Sequence, residues 1–147
     1  MSPRLFADLY ERDIRKLIEE VNAFKNEEDL WKTQGSVKNS SGNLALHIIG
    51  GLNHFVGAPL GKTGYVRNRD QEFAIKNVNR KDILTQLEDL IPMIAKTLNG
   101  LTPEQMEADF PIFFDKPNSS TGYVLLQLLL HLNYHLGQVN YLRRMLE

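Results

Sequence analysis

The 147-residue sequence predicts an all-α protein, a four-helix bundle with long connections and one short extra helix. Three observations carry this reading: four long segments repeat apolar residues at helical spacing, capping residues precede them, and strand signals are few. Ser2 before Pro3 reads as an N-cap with proline at the first helical position. Leu5, Leu9, Ile14, Leu17, Ile18 and Val21 follow, so the first helix is expected from Pro3 to Phe24. Trp31 to Asn39 contains Gly35 and has no period; it reads as a connection with room for a short strand. Ser40-Ser41-Gly42-Asn43 caps a second helix, Ser41 to Val56, which carries Leu44, Leu46, Ile48, Ile49, Leu52 and Phe55. Gly57, Pro59, Gly61 and Gly64 end it.

The next helix start is Asn79, leaving a connection of about twenty residues where bundles commonly use 2–8. A loop of that length usually has a task. Ile83, Leu84, Leu87, Leu90, Ile91, Ile94 and Leu98 form the third helix, stopped at Asn99-Gly100, and Pro92 should bend or weaken it. Thr102-Pro103-Glu104-Gln105 is a capping box sufficient for one short helix, and Phe110 to Pro117, bracketed by prolines, is expected to be extended. Asn118-Ser119-Ser120-Thr121 opens the last helix, which runs unbroken to Glu147. Residues 1–147 read as a single domain without internal repeats.

Composition narrows the function classes. Seventeen basic residues against eighteen acidic ones give a net charge of -1, so no global field attracts nucleic acid or an anionic membrane. Arg143-Arg144 alone approach a basic cluster. Cysteine is absent, which removes disulfides, thiolate zinc sites and a thiol nucleophile supplied by the chain; a metal must use His, Asp or Glu. The first residues carry early charges of both signs rather than a signal-peptide core, and a cytoplasmic location is expected. Tyr123 to Leu132 is the longest apolar stretch, far short of the ~20 residues of a membrane span. It is apolar nearly all round, so it should be covered on more than one side, by a second copy of the chain or by the Tyr65 to Phe73 loop.

The four histidines lie on two predicted helices, His47 and His54 on the second, His131 and His135 on the last. Four residues apart, His131 and His135 share a face and can reach one metal ion. Leucines flank His131, so its imidazole should have a specific partner: a metal, or a backbone carbonyl, Asn43 or Asn53. A third ligand must come from elsewhere, because Leu132-Asn133-Tyr134 lacks the glutamate of a His-Glu-x-x-His site. His47 and His54 share a face but lie about 10 Å apart along the axis, so one centre scarcely takes both. Three imidazoles with open positions would let a metal ionise water or hold a substrate thiol as thiolate. Gln138 and Asn43 are placed to orient water or a ligand histidine, or else simply fill bundle layers. Gly50, Gly51 and Gly137 are expected to let helices approach closely. Arg67, Arg69, Asp70 and Glu72 form either a solvated salt-bridge network or a pocket element that binds the anionic part of a substrate or cofactor, or closes the pocket.

His131-Leu132-Asn133-Tyr134-His135-Leu136-Gly137-Gln138, followed by Leu142-Arg143, resembles the last-helix signature of the DinB-like superfamily, which includes bacillithiol S-transferases. Gly42-Asn43-Leu44-Ala45-Leu46-His47-Ile48 resembles its second-helix segment, and Tyr65 to Phe73 is similar to the Arg-Asp-x-Glu-Phe loop of one branch. The resemblance implies a four-helix bundle, often dimeric, with a divalent ion such as zinc or nickel on His47, His131 and His135, and leaves His54 outside the triad.

Three functions follow as expectations. The first is a metal-dependent transferase that joins a low-molecular-weight thiol, supplied from outside, to a small electrophile. The second is a metal-dependent hydrolase in which Gln138 or Asn43 positions water. The third is a non-catalytic, dimeric metal-binding scaffold. Thiol transfer needs the least help, since no carboxylate is placed beside His131 or His135 to act as general base.

Overall fold

A computed structural model describes residues 1–147, and the chain is all-helical. Helix α1 (Pro3–Ala23) starts where Ser2 Oγ accepts the Leu5 N–H at 3.2 Å, and it buries Phe6, Tyr10, Ile14, Leu17 and Val21 along one stripe. Helix α2 (Ser41–Leu52) is capped by Ser40 and leads into a π-helical turn, Asn53–Gly57. Helix α3 (Arg69–Ala74) lies inside the long connection, followed by α4 (Arg80–Asn99), α5 (Pro103–Glu107) and α6 (Thr121–Leu146). The four long helices form the bundle: α1 packs on α4 and α6, and α2 packs on the same two. The apolar stripes of all four meet in one core, with Ile48, Ile83, Leu87, Leu90, Leu125 and Leu132 at most 2% exposed. No helix is long and apolar enough to cross a membrane.

Several expectations are corrected. Between α1 and α2 there is a 3₁₀ turn, Glu27–Trp31, and no strand. Trp31 holds that segment against α2, with its indole packed so closely over Gly42 that a Cβ there would lie 2.8 Å from ring atoms. The α-helical part of α2 ends at Leu52 rather than Val56. The long connection contains α3, and Asn68 caps it by accepting the Gln71 N–H, a local signal already present in the sequence. Helix α4 is continuous from Arg80 to Asn99, with Pro92, the expected weak point, exposed inside it. Residues 110–117 are bends and a turn rather than an extended segment. Their ends are tied by Phe110 N–H to the Ser119 carbonyl and Thr121 N–H to the Ala108 carbonyl, which closes the segment into a loop.

The first half of α6 is only partly covered. Leu125, Leu128, Leu129 and Leu132 are buried, while Leu126, Leu130 and Tyr134 are 38%, 54% and 65% exposed, so the 65–73 segment does not enclose them. That segment crosses α2 instead, and this puts it at the histidines.

Candidate metal centre

Helix periodicity brings the key residues together. On α2, Asn43, His47 and Gly50 share one face; on α6, His131, His135 and Gln138 share another. Packing of α2 on α6 turns these faces toward each other, and ligand nitrogens of His47, His131 and His135 lie within 4.8 Å of one another. The Nε2 atoms of His47 and His131 are 3.2 Å apart, and those of His131 and His135 are 2.9 Å apart. Tetrahedral coordination at Zn–N distances of about 2.05 Å puts ligand nitrogens roughly 3.3 Å apart. The three imidazoles thus fit one ion with small adjustments.

Their outer nitrogens are also placed. His47 Nδ1 lies 3.0 Å from Glu72 Oε1, and His135 Nδ1 lies 2.7 Å from Gln138 Oε1. Donation of each Nδ1–H to that oxygen leaves the Nε2 lone pair pointing into the cluster, the tautomer a metal requires. His47 is buried, His135 is half-buried, and His131 faces the opening. Burial lowers the pKa of all three below the ordinary imidazole value. His131 is pushed down to about 4, by partial burial first and then by the neighbouring imidazoles and the two arginines. Neutral imidazoles at pH 7 are the ligating form.

Glu72 is the functional residue that the charge pattern of the long connection does not single out. It is neither solvated nor substrate-facing: it is 7% exposed and accepts a bidentate ion pair from Arg67, Nε–Oε2 at 2.8 Å and Nη2–Oε1 at 2.9 Å. Gly50 makes room for it: a Cβ at Gly50 would lie 1.8 Å from Oε2. A Gly50-Gly51 pair inside an otherwise good helix was the available signal, since glycine there costs stability unless something fills the space. Gly137, by contrast, has open space where a Cβ would be, so it serves no close helix approach within the chain.

Asn43 does not reach the imidazoles in the way expected of a water-positioning residue. Its Nδ2 donates to the carbonyls of Glu72 at 2.9 Å and Ile75 at 2.8 Å, and its Oδ1 accepts from Ser40 and Lys76. It moors α3, and through α3 it holds Glu72. Arg67 is likewise engaged by Glu72 rather than free for a substrate, whereas Arg69 forms no ion pair and lies 5.3 Å from the Phe73 ring centroid. His54 stands apart, its ring against Phe55 at 4.6 Å between centroids. A cleft of about 420 Å³ opens on the cluster, with His47, His131, Arg67, Arg69, Phe55 and Phe114 in its wall.

Fold and site together define an all-helical bundle with three convergent imidazoles that could hold one metal ion. Residues 7–147 match the family described as "Protein of unknown function (DUF1572)". The match spans nearly the whole chain, and the protein belongs to that family. No curated protein matches it.

Proposed function

We propose that this protein is a divalent-metal-dependent enzyme of the DinB-like superfamily that transfers a small thiol to an electrophilic carbon. The observation supporting it is the convergence of three Nε2 atoms whose rings are oriented from behind by Glu72 and Gln138. A divalent ion there, zinc or nickel, supplies Lewis acidity that favours the anionic form of a sulfur or oxygen ligand at neutral pH.

The residues of the chain do the rest. Glu72 and Gln138 hold the His47 and His135 tautomers, Arg67 neutralises the buried Glu72, and Arg69 offers an unpaired guanidinium to a carboxylate. Phe55, Leu128 and Phe114 keep the cleft wall apolar. Transfer is favoured over hydrolysis because both Glu72 oxygens are occupied by His47 and Arg67, so this carboxylate is not free to take a proton from water. A thiol needs no such base. It must come from outside, since the chain has no cysteine.

Zinc- or nickel-loaded protein, incubated with 3-mercaptopropionate and 1-chloro-2,4-dinitrobenzene, should form the thioether in a metal-dependent reaction lost in the His47, His131 and His135 alanine variants. Stoichiometric metal without turnover on a panel of thiols and electrophiles would leave a metal-binding scaffold as the function. We also propose that Leu126, Leu130 and Tyr134, exposed along α6, form a homodimer face, which sedimentation equilibrium tests directly.

A further inference from the structure

Two clefts reach the histidine cluster, on successive stretches of α6. The one described above uses α6 up to His131 and Leu132. A second, of about 440 Å³, lies between residues 36–39 and the C-terminal half of α6, with His135 and Gln138 in its wall. Splitting one substrate with water requires a single organic-substrate cleft. Joining two organic reactants requires two, meeting where the atoms react.

The two walls differ in kind. In the first cleft every apolar side chain is buried or half-buried, and Arg69 supplies a planar cation without a carboxylate partner. In the second, Val37, Tyr141 and Met145 are 43%, 67% and 51% exposed although they line a concavity. Uncovered apolar side chains in a cleft mark a ligand surface, and an unbranched, polarisable methionine adapts to ligands of differing shape.

We propose that the clefts divide the two reactants: an anionic thiol occupies the first, its carboxylate on Arg69, and an apolar electrophile occupies the second, against Val37, Leu142 and Met145. The chemistry rests on the transfer reading above; the division of binding sites does not. In the step itself the thiol proton leaves to solvent, and a carbon–sulfur bond forms as the bond from carbon to the leaving group breaks. The leaving group departs as an anion with its electron pair, and nothing is oxidised or reduced.

Amide chemical shifts of the full chain, with and without zinc, test the division using two probes: nitrobenzene, which has no leaving group suited to transfer, and 3-mercaptopropionate. Nitrobenzene should shift residues 36–38 and 142–145, the thiol should shift residues around Arg67, Arg69 and Phe114, and neither should displace the other. Val37→Trp should weaken nitrobenzene about tenfold or more and leave the thiol unchanged, while Arg69→Ala should do the reverse. Competition of the probes for one cleft, or absence of nitrobenzene shifts at the second, overturns the proposal. It is also overturned if residues 141–145 respond to protein dilution and not to nitrobenzene, because that surface then belongs to a second copy. Binding of both probes as described, with no thioether formed from 1-chloro-2,4-dinitrobenzene, would support the division and refute the transfer reading.

Discussion

Gly50→Ala perturbs the site without touching a candidate ligand. The new Cβ would lie 1.8 Å from Glu72 Oε2 and 2.5 Å from Cδ, far inside van der Waals contact. Those atoms end a flexible side chain, so the carboxylate should swing out of its notch while α2 and α3 keep their places. Three contacts then break together: the 3.0 Å contact to His47 Nδ1 and the 2.8 Å and 2.9 Å bonds from Arg67. Loss of a carboxylate that orients a metal-ligating histidine typically costs 10–100-fold in metal affinity, about 1.4–2.7 kcal/mol. Folding should suffer as well: charge-assisted hydrogen bonds contribute about 1.5–3 kcal/mol each, and exchanging glycine for alanine in a helix returns only about 0.8–1 kcal/mol. The melting temperature of the metal-free protein should therefore fall measurably. Competition with a chromophoric chelator gives the zinc affinity. In a Glu72→Ala background the notch is empty, so adding Gly50→Ala should not weaken zinc further. Wild-type affinity in Gly50→Ala, or additive losses in the double variant, would refute the reasoning that Gly50 acts through Glu72 on His47.

Three further outcomes are expected. Alanine at His47, His131 or His135 should abolish stoichiometric metal with far-ultraviolet helicity retained, because the leucine-rich core does not use these rings, whereas His54→Ala should keep the ion; elemental analysis after dialysis decides both. Acidification should destabilise the metal-free protein: His131 titrates at about 4 when folded against 6.5 when unfolded, so the unfolded chain takes up the proton first as the pH falls. This contribution is fully present above pH 6.5 and lost as the pH falls through about 4, and His131→Ala should flatten that part of a melting-temperature profile. Asn43→Ala removes the bonds to the Glu72 and Ile75 carbonyls, which should cost about 1–3 kcal/mol and speed proteolysis between residues 61 and 78, read by denaturant melts and limited digestion.

The bundle was legible because its causes are local. Ser2, Ser40, Thr102 and Ser120 each cap the helix that follows, and apolar spacing marks the faces that become buried. Pairs such as His131 and His135 are local too, since four residues along a helix set their separation wherever the helix packs. Helix α3 was missed although Asn68 marks its start, because six residues carry too little periodicity to stand out in a charged loop. The leucines around His131 suggested an enclosed ring, but exposure is a property of neighbours, and no element of the chain fully covers Leu130 beside it.

By itself, then, the sequence determined the helical class, the caps, the spacing of histidines along each helix and the need for an external thiol in any thiol chemistry. Tertiary structure alone decided that His47 meets His131 across 84 positions of chain, that Glu72 stands behind His47, and that Asn43 serves α3 rather than the cleft. The physical reason is range. Capping and periodicity act within a few residues, while the carboxylate at His47 depends on a notch at Gly50, a counter-charge at Arg67 and a mooring at Asn43, three contacts made only once α2 and the long connection have packed together.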